Sequence, residues 1–226
     1  MDVAILLYEG FDELDAVAPY EVFRTAAAHG ADVDATLRTL VPSERVTASH
    51  GLRVEPDDVL LGTPDLVVVP GGGWNSVAPE GQRGGDCEAQ RASDRSSGQS
   101  PREDGEAVGA RENGAWAEVQ DGTLPERLAT LYDAGATVAT VCTGALIAAE
   151  GGLLEGRPAT THESAKDDLR EYGVDVRDDR FVDDGDVLTA GGVTSGIDLA
   201  LHLVEREWSA DIARTVAEEI EYENSY

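Results

Sequence analysis

The sequence is poor in basic residues and has no long apolar run. Its 226 residues include 45 Asp and Glu but only 17 Lys and Arg, and Lys166 is its single lysine. Nucleic-acid binding needs a basic face, so this balance argues against a nucleic-acid partner. No apolar segment is long enough to cross a bilayer, and the N-terminus lacks the basic region and cleavage site of a secretory signal. We therefore expect a cytoplasmic protein without membrane contact.

Cysteine is also scarce. The chain has Cys87 and Cys142 alone, in very different contexts, which predicts no disulfide framework. Motifs typical of metal sites, such as CxxC or HExxH, are missing. The glycine-rich run 191–196 lacks the Lys-Ser/Thr pair of a phosphate loop, which argues against nucleotide binding. We expect no metal and no organic cofactor.

The sequence has a large excess of acidic residues. The formal net charge is −28, and the acidic residues are spread along a chain that is 41% hydrophobic. Acid distributed over a foldable sequence predicts a highly charged folded surface rather than general disorder. Adaptation to high salt, which screens the repulsion between these charges, is our hypothesis for this surface.

Apolar strand patterns alternate with helical patterns along the chain, which predicts an α/β fold with a mostly parallel sheet. The predicted strands and hairpins are 3–8, 35–41, 46–54, 65–70, 137–141, 158–161 and 181–190, and the predicted helices are 14–28, 124–134, 145–149, 163–172, 197–207 and 210–222. We predict one domain over 1–226. Residues 79–115 are rich in Gly, Ser, Arg and acid, which predicts a flexible polar insertion in which Cys87 is an exposed thiol.

The central feature is the stretch 137–144. Its β-branched residues lead into Cys142, a small polar residue and Gly144, which predicts a strand, a sharp turn and a helix with Cys142 at the corner. Open α/β sheets bind ligands at the carboxyl ends of their strands. The first N–H groups of the new helix favour thiolate, the reactive form of cysteine. Free cysteines are also common in protein cores, so a nucleophile and a buried structural cysteine both remain open.

Three further strand ends carry candidate groups. Gly71, Gly72 and Gly73 follow a buried strand, where their N–H groups form either an oxyanion hole or merely a tight turn. His162 ends a short strand and is either a base or a hydrogen-bonded structural residue. Glu13 and Asp15 lie in the first loop, where the alternatives for Asp15 are a proton-transferring group, a helix cap and a solvated charge.

In their order along the chain, five segments resemble the DJ-1/PfpI (ThiJ) superfamily. These segments are 10–15 with 19–23, 67–72, 141–145, 152–162 and 188–201. The resemblance implies a flavodoxin-like three-layer α/β sandwich of the class I glutamine amidotransferase-like type. It also implies a homodimer with its site near the interface.

For the site, the resemblance implies Cys142 as nucleophile and Asp15 as its acidic partner. It implies a supporting pocket of Gly71, Gly72, Thr143 and His162, with the Gly72 and Thr143 amides as oxyanion donors. Thr143 stands where the protease-like branch has histidine, which argues against a peptidase. Asp at position 15 together with Cys-Thr-Gly is similar to the isonitrile hydratase-like and AraC-sensor-like branch. Because no helix-turn-helix segment follows before Tyr226, we expect an enzyme rather than a transcription regulator.

Two functions remain as hypotheses. In the first, the chain is a cysteine-dependent hydratase or hydrolase of a small electrophile, such as an isonitrile, carbonyl compound or amide, with Asp15 as proton shuttle. In the second, the chain is a stress-protective or redox-sensing protein whose Cys142 oxidises reversibly. A resolving cysteine for the second function is not evident, because Cys87 lies in the polar insertion.

Overall fold

The computed structural model describes residues 1–74 and 113–223. The elements are, in chain order, β1 (Asp2–Leu6), α1 (Glu13–Ala28), β2 (Asp34–Thr39), β3 (Val46–Thr47), β4 (Arg53–Val54), β5 (Asp58–Val59), β6 (Leu66–Val69), α2 (Ala115–Asp121), α3 (Thr123–Asp133), β7 (Thr137–Val141), α4 (Gly144–Glu150), β8 (Pro158–Ala159), a 3₁₀ turn (Glu163–Ala165), α5 (Lys166–Glu171), β9 (Asp175–Val176), β10 (Phe181–Asp183), β11 (Val187–Ala190), α6 (Ser195–Glu207) and α7 (Ala210–Glu219).

Seven strands form the main sheet in the order β10-β11-β7-β6-β1-β2-β5. All neighbours run parallel except β10, which pairs antiparallel with β11. The central strands β6 and β11 are buried at every position, and β1 and β7 at all but their first residue, because helices cover both faces of the sheet. Helices α1, α6 and α7 pack on one another, and α2, α3 and α4 form a second group. The predicted α/β sandwich with a mostly parallel sheet is confirmed.

Helix α1 shows how the sequence sets an element next to the site. Asp12 caps it, accepting a hydrogen bond from the Leu14 N–H at 3.1 Å. Pro19 lies inside the helix and is buried in the core. The predicted first loop is therefore shorter than expected, because Glu13 and Asp15 already belong to the first turn of α1.

Several elements differ from the sequence-based expectation. Strands β5 and β9 and helix α2 are too short to show a periodic pattern, and the sequence did not predict them. Strand β8 pairs with β9 in a separate two-stranded sheet instead of joining the main one. The last residues of the predicted insertion are also packed: Gly114 and Ala115 are buried. Most of that insertion, with Cys87, lies outside the described residues.

The two ends of the undescribed stretch meet beside the main sheet. A Cβ on Gly73 would lie 3.0 Å from Gly114 Cα, and the Ala115 N–H donates to Gly72 O at 2.7 Å. The Gly114 N–H donates to Glu9 O at 2.8 Å. Residues 73 and 114 are therefore direct neighbours. In the part of the chain that the structure describes, no helix has the length and apolar character to span a membrane.

Candidate active site

The register of the sheet aligns the carboxyl ends of three strands. Val69 of β6 lies opposite Thr140, and Ala190 of β11 lies opposite Val141. The residues that follow these strands therefore meet at one edge, as the sequence predicted. Cys142 is fixed there by its N–H, which donates to the carbonyl oxygens of Ala190 at 3.0 Å and Gly191 at 2.9 Å.

Cys142 adopts a left-handed backbone conformation, with φ of 57°. For a residue with a side chain, this conformation costs about 1–3 kcal/mol and is typical of functional sites. The tight packing of the turn depends on Gly144, because a Cβ at that position would lie 2.3 Å from Val69 O. The predicted sharp turn between strand and helix is confirmed.

The surroundings of Cys142 favour a neutral thiol. Its side chain is 7% exposed. Burial and the nearby charge of Asp15 raise the pKa of the thiol well above its usual value, while hydrogen bonds from the N–H groups of Thr143 and Val193 act in the opposite direction. This shift in the thiol pKa is opposite to the one expected from the helix N-terminus, because burial and Asp15 outweigh these N–H groups.

Asp15 is fully buried in the first turn of α1. Its Oδ2 accepts a hydrogen bond from the Gly71 N–H at 3.0 Å, and its Oδ1 has no partner among the described residues. Burial and the charge of Asp12 raise its pKa to about 7, against the lowering effect of hydrogen bonds with the Gly71 N–H and the Cys142 side chain. Asp15 can therefore gain or lose a proton near neutral pH beside the Cys142 thiol, and the two groups influence each other's pKa.

Gly71 is held in place by two further groups. Its carbonyl oxygen accepts from the Asp12 N–H at 2.7 Å and from the Tyr8 hydroxyl at 3.1 Å, and the same hydroxyl donates to Pro70 O at 2.7 Å. Tyr8 is thus a positioning residue that the sequence did not reveal, because it reads as the last residue of an apolar strand.

Gly72 and Thr143 contact each other directly. The Gly72 N–H donates to Thr143 Oγ1 at 2.9 Å. The role of this N–H as an oxyanion donor therefore requires that an incoming oxygen displace the Thr143 hydroxyl. The two residues do line the same cleft, as the resemblance implied.

His162 lines the cleft, and contacts with Ser164 fix the orientation of its ring. Its Nδ1 accepts a hydrogen bond from the Ser164 N–H at 3.3 Å, which caps the 3₁₀ turn, and lies 2.7 Å from Ser164 Oγ. The ring packs against Gly192, where a Cβ would lie 2.9 Å from His162 Cδ2. With Nδ1 as acceptor, the neutral ring carries its proton on Nε2 and can donate a hydrogen bond from that atom.

A cleft of about 280 Å³ opens above Cys142. It unites Cys142 with Thr143, Gly72 and His162, and Asp15 and Gly71 lie buried behind it. The sequence did not reveal three wall residues, which are Asp12, Trp74 and Val193. Of these, Trp74 could have been predicted as a wall residue, because it directly follows the triple glycine at a strand end.

A second group of polar residues lies next to the cleft. Ligand atoms of Asp12, Glu13 and His50 lie within 4.8 Å of one another. Glu13 accepts hydrogen bonds from the His50 N–H at 2.7 Å and the Ser49 hydroxyl at 3.1 Å, and contacts His50 Nδ1 at 2.8 Å. These bonds tie the β3–β4 turn to α1, which explains the cluster structurally. His50 thus pairs with Glu13, and two further histidines, His29 and His202, pair with Glu219 and Asp183.

The sequence of this chain is similar to those of a known protein family. The sequence model of the DJ-1/PfpI family matches residues 1–83 and 116–206. Isonitrile hydratase of Pseudomonas putida is 30% identical over 224 residues, which are 98% of this chain and 78% of that protein.

Two solved structures share the fold. A ThiJ/PfpI family protein from Pseudomonas syringae aligns with a TM-score of 0.74 at 22% identity, covering 100% of this chain and 76% of its own. Drosophila melanogaster DJ-1beta aligns with a TM-score of 0.72 at 20% identity, covering 99% and 98% of the two chains.

Proposed function

Because the chain belongs to the DJ-1/PfpI family, we propose that its Cys142 and Asp15 act as a nucleophile and a proton shuttle that hydrate a small isonitrile. The observation that carries this proposal is the pairing of a buried thiol with a buried carboxyl whose pKa is about 7 and whose Oδ1 has no partner among the described residues. The relationship to isonitrile hydratase of P. putida supports the choice of substrate.

The first step forms a carbon–sulfur bond. The Asp15 carboxylate takes the proton of the Cys142 thiol and transfers it to the terminal isonitrile carbon, while the sulfur bonds to that carbon. The product is a thioimidate, R–N=CH–S, attached to Cys142. Addition of the thiol to one carbon consumes no other reagent and leaves Asp15 ionised.

The second step releases the product. Water adds to the thioimidate carbon, and Asp15 moves one of its protons to the nitrogen. The carbon–sulfur bond then breaks, the remaining hydroxyl proton returns to the sulfur through Asp15, and an N-substituted formamide leaves. The overall change is the addition of one water molecule to the isonitrile.

The donors around the cleft favour an isonitrile over an amide or ester. Of the two predicted oxyanion donors, the Gly72 N–H is bound to Thr143 Oγ1 and the Thr143 N–H to the Cys142 side chain, so neither is free for an oxyanion. Attack on an amide or ester places negative charge on oxygen in the first step, whereas attack on a protonated isonitrile carbon does not.

A substrate panel tests the proposal. Isonitriles, glyoxals and amides are assayed in molar KCl with the wild type, Cys142→Ala and Cys142→Ser. We expect the wild type to convert isonitriles to formamides and both variants to lose turnover while retaining the circular dichroism of the fold. Turnover by Cys142→Ala, or no conversion of any isonitrile by the wild type, would overturn the assignment.

The redox-sensor hypothesis has less support. Sensor cysteines are exposed and have a low pKa, whereas Cys142 is buried and its pKa is raised. Intact-mass measurement after mild peroxide separates the two functions, since a sensor gains oxygen at Cys142 at the lowest doses.

We also propose that the protein works in the cytoplasm at high salt and as a homodimer. The net charge of −28 supports the proposal of high salt, and its test is a melting temperature that rises with KCl up to molar concentration.

The proposal of a homodimer is supported by Leu14 and Leu52, which are 39% and 46% exposed. Both lie beside Asp12, Glu13 and His50, and we propose that this face contacts the second copy of the chain. Light scattering of the wild type and Leu52→Glu tests this face.

A further inference from the structure

Trp74 is shared by two clefts. It lines the 280 Å³ cleft above Cys142. It also lines a neighbouring cleft of about 240 Å³, whose other walls are Asp168, Glu171 and Tyr172, and which we call the side cleft. The indole is therefore the wall common to both spaces.

The indole is held firmly in this position. Trp74 is 3% exposed, and its Nε1 donates a hydrogen bond to Asp168 Oδ2 at 2.6 Å. Its ring meets Trp116 edge-to-face, with centroids 5.1 Å apart and planes at 77°. An acceptor at the polar edge and an aromatic ring against the indole leave it little freedom to swing aside.

The indole bounds the reaction space on one side. The cleft above Cys142 lies just below the range of about 300–1,000 Å³ that is usual for drug-sized ligands. His162, which also lines this cleft, packs on Gly192. Among the described residues, the Trp74 side chain stands between this cleft and the side cleft, so a shorter side chain at position 74 would join the two spaces.

We propose that Trp74 sets the size limit for molecules that react at Cys142, by separating the cleft above the sulfur from the side cleft. Within the proposed function, on which this part rests, Trp74 restricts the substrates to isonitriles with a compact substituent. The steric limit at the sulfur holds for any electrophile.

Alkylation of Cys142 tests the wall independently of turnover. All proteins carry Cys87→Ser, so that Cys142 is the single reactive thiol. Rates are measured by intact mass with iodoacetamide and with its N-benzyl derivative. We expect the wild-type wall to slow the benzyl reagent relative to iodoacetamide by at least about tenfold, and Trp74→Leu to remove most of this discrimination.

Two variants control for structure. Trp116→Phe changes a ring that packs on Trp74 but lines neither cleft, and we expect the ratio of the two rates to stay at the wild-type value. Trp74→Phe keeps an aromatic side chain of smaller size, and we expect an intermediate ratio even if Trp74→Leu does not fold. An unchanged ratio in the folded Trp74 variants, or equal rates for both reagents in the wild type, would overturn the proposal.

Turnover then separates this inference from the proposed function. Methyl and benzyl isonitriles are compared in the wild type and the Trp74 variants. A shift of the rate ratio toward the benzyl compound supports both proposals. No turnover of either compound rejects the isonitrile hydratase function, while the alkylation ratio still decides the role of Trp74.

Discussion

Glu13 and Asp15 lie in the same first turn of α1, yet their surroundings shift their pKa values in opposite directions. Burial alone would raise the pKa of Glu13, but hydrogen bonds from the His50 side chain and from the N–H groups of His50 and Leu52 lower it to about 2. Burial and the charge of Asp12 raise the pKa of Asp15 to about 7.

The difference lies in the deeper burial of Asp15, in the nearby charge of Asp12 and in the number of donors. Glu13 is surrounded by the Ser49 hydroxyl, the His50 N–H and the His50 ring, whereas Asp15 receives one backbone hydrogen bond, from Gly71. The same helix end thus carries a structural carboxylate that is ionised at neutral pH and a carboxyl that can take up a proton there.

The largest expected effect is on turnover. Asp15→Asn keeps an acceptor for the Gly71 N–H but cannot move a proton, so we expect the isonitrile hydration rate to fall by about 10²–10⁴-fold. Glu13→Gln should stay within a few-fold of the wild type, since Glu13 does not face the sulfur. Equal losses in both variants would remove the distinction between the two acids.

The pH dependence of the reaction sharpens the same comparison. Asp15 must be ionised to take the thiol proton, so we expect kcat/KM to rise with pH and to level off above about 7, the pKa of Asp15. Glu13, with its pKa of about 2, should add no inflection between pH 4 and 9. Rate profiles in buffered molar KCl measure this, and a flat profile would speak against Asp15 as the shuttle.

Stability should respond with opposite signs. The raised pKa of Asp15 means that ionisation opposes folding, so stability from this group is full below pH 3.8 and is lost as pH rises to about 7. We expect Asp15→Asn to be more stable than the wild type at pH 8 by about 2–4 kcal/mol, with little difference at pH 4. Glu13→Gln should be destabilised by about 1–3 kcal/mol at pH 8, because it loses charged hydrogen bonds. Urea unfolding at both pH values measures the two differences, and the same sign at pH 8 would contradict them.

The smallest expected effect comes from His50, whose pKa is raised by its hydrogen bond with Glu13 and by the charges of Glu13 and Asp12. In His50→Ala the backbone N–H groups still bind Glu13, so we expect the pKa of Glu13 to rise only part of the way toward 4.5. Titration of the Glu13 side chain by NMR measures this shift, with the Asp15 titration as internal reference. A shift of Asp15 instead of Glu13 would show that the two groups are coupled.

Much of the fold follows from periodicity in the sequence. The long elements β1, α1, β7 and α6 bury continuous apolar faces, so their residue patterns predict them. Strands β5 and β9 are two residues long and exist because longer neighbours hold them in place, which no local pattern records.

The site likewise has features that the sequence predicts and features that it does not. The elbow at Cys142 was predictable because a strand, a small residue and a glycine must turn sharply there. The protonation of Cys142 was not, since it depends on Asp15, which reaches the sulfur only through the packing of α1 on the sheet. The wall formed by Trp74 depends likewise on a distant acceptor, Asp168.

Gly73 and Gly114 lie in direct contact next to the cleft above Cys142. Everything encoded between positions 74 and 113 departs from and returns to adjacent points, so its length places no geometric demand on the sheet. We therefore expect a change in the number of residues between these two points to leave the sheet beneath the cleft intact.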